Sequence, residues 1–105
     1  MKIIWSEFAE IQIDEIFKFY EEEANSVIAS KLVQNIILEA EKLKDSPYIG
    51  QKEWRLQERK ITYRYLVYAH YKIIYSVQEN PGYIKIADVF DTRQNPPKIG
   101  RSKIS

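Results

Sequence analysis

ITYRYLVYAHYKIIYSVQENPGYIKIADVF, residues 61 to 90, decides the fold. Three runs within it, Ile61 to Tyr68, Tyr71 to Val77 and Tyr83 to Phe90, are rich in Tyr, Ile and Val. Polar residues interleave at period two, the pattern of half-buried strands. Ala69-His70 is short enough for a hairpin connection, and Asn80-Pro81-Gly82 is a turn in which Pro sets φ and Gly accepts positive φ. The segment therefore predicts an antiparallel meander of three strands.

Upstream the period changes. Lys2 to Trp5 is a short β-rich run closed by Ser6, an N-cap residue, with Glu7 and Glu10 in the first turn where the helix dipole favours acids. Phe8, Ile13, Ile16, Phe17 and Tyr20 then fall near helical spacing, with Glu10, Asp14, Lys18 and Glu21 between them, to an end near Glu23. Asn25 or Ser26 caps a second helix whose stripe is Ala29, Leu32, Val33, Ile36, Ala40 and Leu43, stopping at Asp45-Ser46-Pro47. The short connection makes the two helices an antiparallel hairpin. The predicted class is α+β in the order β-α-α-β-β-β, with the N-terminal strand and helical hairpin packed on an antiparallel sheet. That leaves the other sheet face open, and function is expected there. The domain is expected to span residues 1–98, and residues 99–105 to be a flexible tail, since the stretch from Thr92 holds Pro96-Pro97 and Gly100 without an apolar period.

Composition excludes several chemistries. The 105 residues include no Cys and one His, which removes disulfide scaffolds, thiol redox chemistry and Cys/His zinc sites. No run approaches the roughly 18 apolar residues of a membrane span, and the opening residues are too soon charged for a signal peptide, so a cytoplasmic protein with no membrane partner is expected. The net charge of +1 conceals a division. Residues 1–50 carry 5 Lys and Arg against 10 Asp and Glu, whereas residues 51–105 carry 11 against 5. The basic half suits an anionic partner, a nucleic acid or an acidic protein segment.

Trp5 with Ala9, the Leu43…Pro47…Gly50 end of the hairpin, Tyr63-Arg64-Tyr65-Leu66-Val67, Tyr71-Lys72-Ile73-Ile74-Tyr75 and Val89-Phe90-Asp91-Thr92-Arg93-Gln94-Asn95-Pro96 are together similar to the RelE/ParE superfamily of type II toxin–antitoxin toxins, also known as plasmid stabilisation proteins. The likeness spans roughly residues 2 to 98 and lies in order and spacing rather than in any single motif. It implies a toxin neutralised by a cognate antitoxin that lays a helix on the hairpin groove and a strand along the sheet. Operator DNA would be reached only through the antitoxin, and no cofactor is implied. Two activities follow from it: RelE-like members cleave mRNA on the ribosome, and ParE-like members inhibit DNA gyrase. A degenerate toxin retaining only antitoxin binding is a third reading.

The nuclease reading needs cations about a phosphate and groups that move protons, without a metal. Arg64, Lys72 and Arg93 fall on basic positions implied by the resemblance, and form the catalytic set if that reading holds. Leu66 stands at a further basic position, and Asn95-Pro96-Pro97-Lys98 replaces the C-terminal Tyr or His-Tyr. Arginine stays protonated and cannot serve as base, which leaves Glu58 or His70 to be recruited. These departures, the near-neutral total charge and the long hairpin turn the expectation toward the gyrase inhibitor. Each residue also has a plainer account. Arg64 and Lys72 suit the wet face of a half-buried sheet, Arg93 an ion pair with Asp91, and His70 a solvated turn. Tyr63, Tyr65, Tyr68, Tyr71, Tyr75 and Tyr83 suit either a stacking platform for RNA or ordinary strand positions. Trp5 is expected in the core; Trp54 fits core or surface.

Overall fold

The computed structural model describes residues 1–56 and 60–93. Strand β1 (Lys2–Trp5) leads into helices α1 (Glu7–Glu23) and α2 (Ser26–Glu41), followed by a 3₁₀ turn at Lys42–Lys44. Strand β2 (Gln51–Lys52), a second 3₁₀ turn (Trp54–Leu56), and strands β3 (Arg64–Tyr68), β4 (Tyr71–Gln78) and β5 (Tyr83–Asp91) complete the order. The sheet runs β1-β5-β4-β3-β2. Its centre is the antiparallel meander that the quoted segment predicts. The whole sheet is mixed rather than antiparallel, because β1 joins β5 in parallel, Lys2 opposite Tyr83 and Trp5 opposite Ile86. The two-residue β2 adds a fifth strand that carries too few residues to show a period.

Local chemistry sets the helix ends. Ser6 caps α1: its Oγ accepts from the Ala9 N–H at 3.0 Å and donates to the Ala87 carbonyl at 3.2 Å, tying the cap to β5. Asn25 caps α2 by accepting from the Ile28 N–H at 2.9 Å. β3 begins at Arg64, three residues later than the β-rich run suggests, because the Tyr63 carbonyl instead accepts from the Glu53 N–H at 2.8 Å. In the β3–β4 turn Ala69 adopts φ 52°, a left-handed conformation unusual for a residue with a Cβ.

The helices bury Ala9, Ile36 and Ala40, and the 3₁₀ turn after them Leu43, against Leu66, Tyr71, Ile73, Tyr75, Ile84, Ile86 and Val89. On β5, Ile86 and Val89 lie three residues apart yet reach the same core. A bulge permits this, since Ile74 opposes Asp88 while Tyr75 opposes Ile86, leaving Ala87 as the additional residue. The second face is not open, contrary to the sequence-based expectation. Leu56 and Tyr63 bury against Ile74, Ala87 and Phe90 there, so the stretch that follows β2 covers it. The register explains the cover, because Ile74 and Phe90 point away from the helices and would otherwise be wet. The expected tail, residues 99–105, lies outside the described residues.

Tyr75 is fully buried and its hydroxyl accepts from the Gly50 N–H at 2.9 Å. A Cβ on Gly50 would stand 2.5 Å from that hydroxyl oxygen and 2.7 Å from the Tyr65 carbonyl oxygen, a backbone atom that cannot yield. Gly50→Ala is therefore expected to destabilise the domain by about 1–3 kcal/mol, read as a lowered urea midpoint with an unchanged slope.

Candidate functional site

The three cations singled out from the sequence do not share a surface. Lys72 lies opposite Val67 and Phe90, on the sheet face away from the helices. Arg64 precedes Val67 by three residues on the same strand, and alternation places it on the helix side, opposite Tyr75. Arg93 lies beyond the end of β5, two residues after Asp91, which opposes Tyr71 at the start of β4.

Each cation is also engaged. The Lys72 ammonium donates to Glu53 Oε2 at 2.9 Å and lies 4.1 Å over the Tyr65 ring. Side-chain exposure is 15% for Lys72 and 2% for Glu53, so this ion pair is shielded from water. Arg64 Nη1 donates to the Gly50 carbonyl at 2.9 Å, and its guanidinium lies 5.3 Å from the Tyr48 ring centre. Arg93 forks onto Asp91, Nε at 3.2 Å and Nη2 at 3.0 Å, with its side chain 60% exposed. Sequence reasoning foresaw the last pair but missed Glu53, which lies in a basic stretch without a periodic signal.

Arg93 does have company. A cavity of about 210 Å³ lies between α1 and the sheet, lined by Ile16, Phe19, Tyr71, Val89, Asp91 and Arg93. At its edge the His70 ring packs on Tyr71, 4.3 Å between centres, and His70 Nε2 lies 3.4 Å from the Tyr20 hydroxyl. His70 occupies the predicted turn but is half-buried rather than solvated. Burial and the neighbouring Tyr20 hydroxyl hold the Tyr71 phenol well above its ordinary range, keeping it protonated at neutral pH. Burial pushes the Asp91 carboxyl up, but its hydrogen bonds from Arg93 outweigh this and leave it below the usual carboxylate range. The same pairing raises the Arg93 guanidinium. Tyr20 belongs to this cluster through the fold alone, fifty residues from His70. Glu58, the other candidate base, lies outside the described residues.

The tyrosines divide between layers. Tyr71 and Tyr75 belong to the helix-side core and Tyr63 to the second one, so no continuous stacking platform runs across the sheet. Trp5 packs against the helix-side core, whereas Trp54 is 67% exposed. Among the described residues, no helix is long and apolar enough to cross a membrane.

The family described as "ParE toxin of type II toxin-antitoxin system, parDE" matches residues 3–96. The chain belongs to the ParE toxin family. Among solved structures, a chain of the chromosomal ParDE TA system from P. aeruginosa is similar in fold, with a TM-score of 0.71 at 20% identity, covering 87% of this chain and 95% of that one. No curated protein matches. The likeness carried by Trp5, the Tyr71–Tyr75 strand and the Val89–Pro96 segment thus leads to a ParE toxin, and the two helices on a five-stranded sheet are its ParE-like fold.

Two expectations follow for this ParE-family domain. Lys72→Met leaves the buried Glu53 carboxylate with only the longer contact to Arg55, 3.9 Å from its Oε1, and is expected to cost about 3 kcal/mol, whereas Glu53→Leu with Lys72→Met restores most of it, measured by urea unfolding. Asp91, with its pKa lowered on folding, contributes stability above its unfolded value near ~3.9 that is lost as pH falls through the lower folded value. Asp91→Asn is expected to flatten this part of the acid limb in thermal unfolding measured against pH.

Proposed function

We propose that this ParE-family protein is a toxin that inhibits DNA gyrase and is neutralised by a bound antitoxin. The observation that carries the choice of target is the dispersal of the cations that RNA cleavage would gather. Arg64 and Lys72 occupy opposite sheet faces, and both cationic groups are engaged by internal acceptors. A single phosphate could not lie against both. Cleavage by the 2′-hydroxyl requires those charges about one phosphate together with a proton acceptor, whereas inhibition by binding requires only a shaped surface.

The ribonuclease alternative has one observation in its favour, the cleft that joins Arg93 with Tyr71 and borders His70. There Arg93 would hold the phosphate and His70 would accept the proton. The two activities separate in two assays on the same folded preparation. In a supercoiling assay with relaxed plasmid, purified gyrase and ATP, the protein is expected to suppress supercoiling. In a purified translation system, primer extension is expected to show an uncut message. In-frame cuts that require ribosomes, lost in Arg93→Ala, would establish the nuclease instead. Inactivity in both assays would leave a toxin that retains only antitoxin binding.

A further inference from the structure

Trp54 stands on the 3₁₀ turn Trp54–Leu56, and its surroundings account for its exposure. The preceding residue, Glu53, is held by the ion pair with Lys72, and Leu56 is buried on the sheet. With both neighbours anchored inward, the indole is held outward, 67% exposed. Two clefts meet beside it at Lys52 and Thr62, along the sheet edge that carries β2. The smaller, about 130 Å³, is lined further by Glu53, Trp54, Leu56, Ile61 and Tyr63. The larger, about 420 Å³, is lined further by Tyr48, Arg64, Val77 and Glu79. Lys52 opposes Arg64 in register, so their charges adjoin in the larger cleft.

Among the described residues, the charge presented here is positive. Lys52, Arg55 and Lys60 are exposed. Of the neighbouring acids among the described residues, Glu53 is buried against Lys72, with Arg55 Nη1 3.9 Å from its other oxygen, and Glu79 accepts the Tyr48 hydroxyl. Exposed Tyr48 and Ile49 extend the apolar part of the patch. Tryptophan, tyrosine and arginine are the residues that most often dominate protein interfaces, with charges at the rim steering the encounter.

We propose that this edge is a docking site for an acidic segment of a partner protein, which inserts an apolar side chain beside Trp54 and places carboxylates against Lys52 and Arg55. The proposal rests on the antitoxin-bound reading for its probe. Charge complementarity selects an acidic occupant, and the clefts select protein over nucleic acid. Leu56, Ile61, Tyr63 and Val77 line them with apolar surface, which suits apolar side chains better than a sugar–phosphate backbone. Single-stranded RNA would also use successive free ring faces, whereas the Tyr48 ring carries the Arg64 guanidinium.

The test is calorimetric titration of the full chain with its purified cognate antitoxin. Trp54→Ala is expected to weaken binding about 30-fold, the loss typical of a central aromatic anchor. Lys52→Glu with Arg55→Glu is expected to weaken it further at low salt and to reduce its salt dependence. Trp54→Ala should keep the wild-type unfolding midpoint, and the Lys52→Glu, Arg55→Glu variant is titrated at a temperature where its own unfolding curve shows it folded, because Arg55 Nη1 lies 3.9 Å from the buried Glu53 carboxylate. The chain has two tryptophans, so in a Trp5→Phe background the emission of Trp54 alone should shift to the blue on binding. Wild-type affinity in Trp54→Ala, or an unshifted emission, would overturn the docking site while leaving the antitoxin reading intact. Failure of the wild type to bind would overturn both. Retention of a single-stranded RNA oligonucleotide that Trp54→Ala abolishes, with antitoxin affinity unchanged, would overturn the choice of a protein occupant.

Discussion

The additional residue at Ala87 governs how this small sheet can be buried on both sides. A regular β5 would send Ile86 and Val89 to opposite faces, because strand side chains alternate. With the bulge between Ile74 and Tyr75 in the register, both reach the helix-side core, while Ile74 and Phe90 serve the second one. Two apolar faces then require two covers. The helical hairpin supplies the first, and the stretch after β2 supplies the second through Leu56 and Tyr63. The buried ion pair and the exposed Trp54 both follow from that second cover.

Closing the second face draws charge inward. Glu53 enters with the covering segment and meets Lys72, which alternation had already turned to that side. Neither charge would be tolerated there alone. A lysine that resembles a phosphate ligand in the linear sequence thereby becomes a fastening for the fold, and the outward indole of Trp54 is a by-product of the same fastening. Arg64 is similarly employed, holding the Gly50 carbonyl while the Tyr75 hydroxyl holds the Gly50 N–H.

What the linear chain reveals is what repeats. The helices, their caps at Ser6 and Asn25, and the meander all carry a period or a capping residue, and each lies near where that signal indicates, β3 alone starting three residues late. Parallel pairing of β1 with β5 leaves no such mark, since partners some eighty positions apart share no local pattern. Two-residue β2 is too short for a period, and the bulge reverses the alternation from which the faces of β5 would be read. The same limits apply to the candidate site. Asp91 and Arg93 are neighbours in sequence and their pairing is legible. Tyr20 beside His70, Glu53 beside Lys72, and the separation of Arg64 from Lys72 exist only once the strands are in register.

The union of β1 with β5 also orders events in time. A ribosome releases Lys2 to Trp5 well before their partners, Tyr83 to Ile86, which emerge after most of the intervening domain has been made. Until then the first strand has no edge to join, and the Ser6 cap has no Ala87 carbonyl to hold. Closing so long a loop delays the last step of folding until synthesis of the strands is complete. The first strand of this ParE-family domain is thus the last to be paired, and the sheet stays incomplete until β5 has been made.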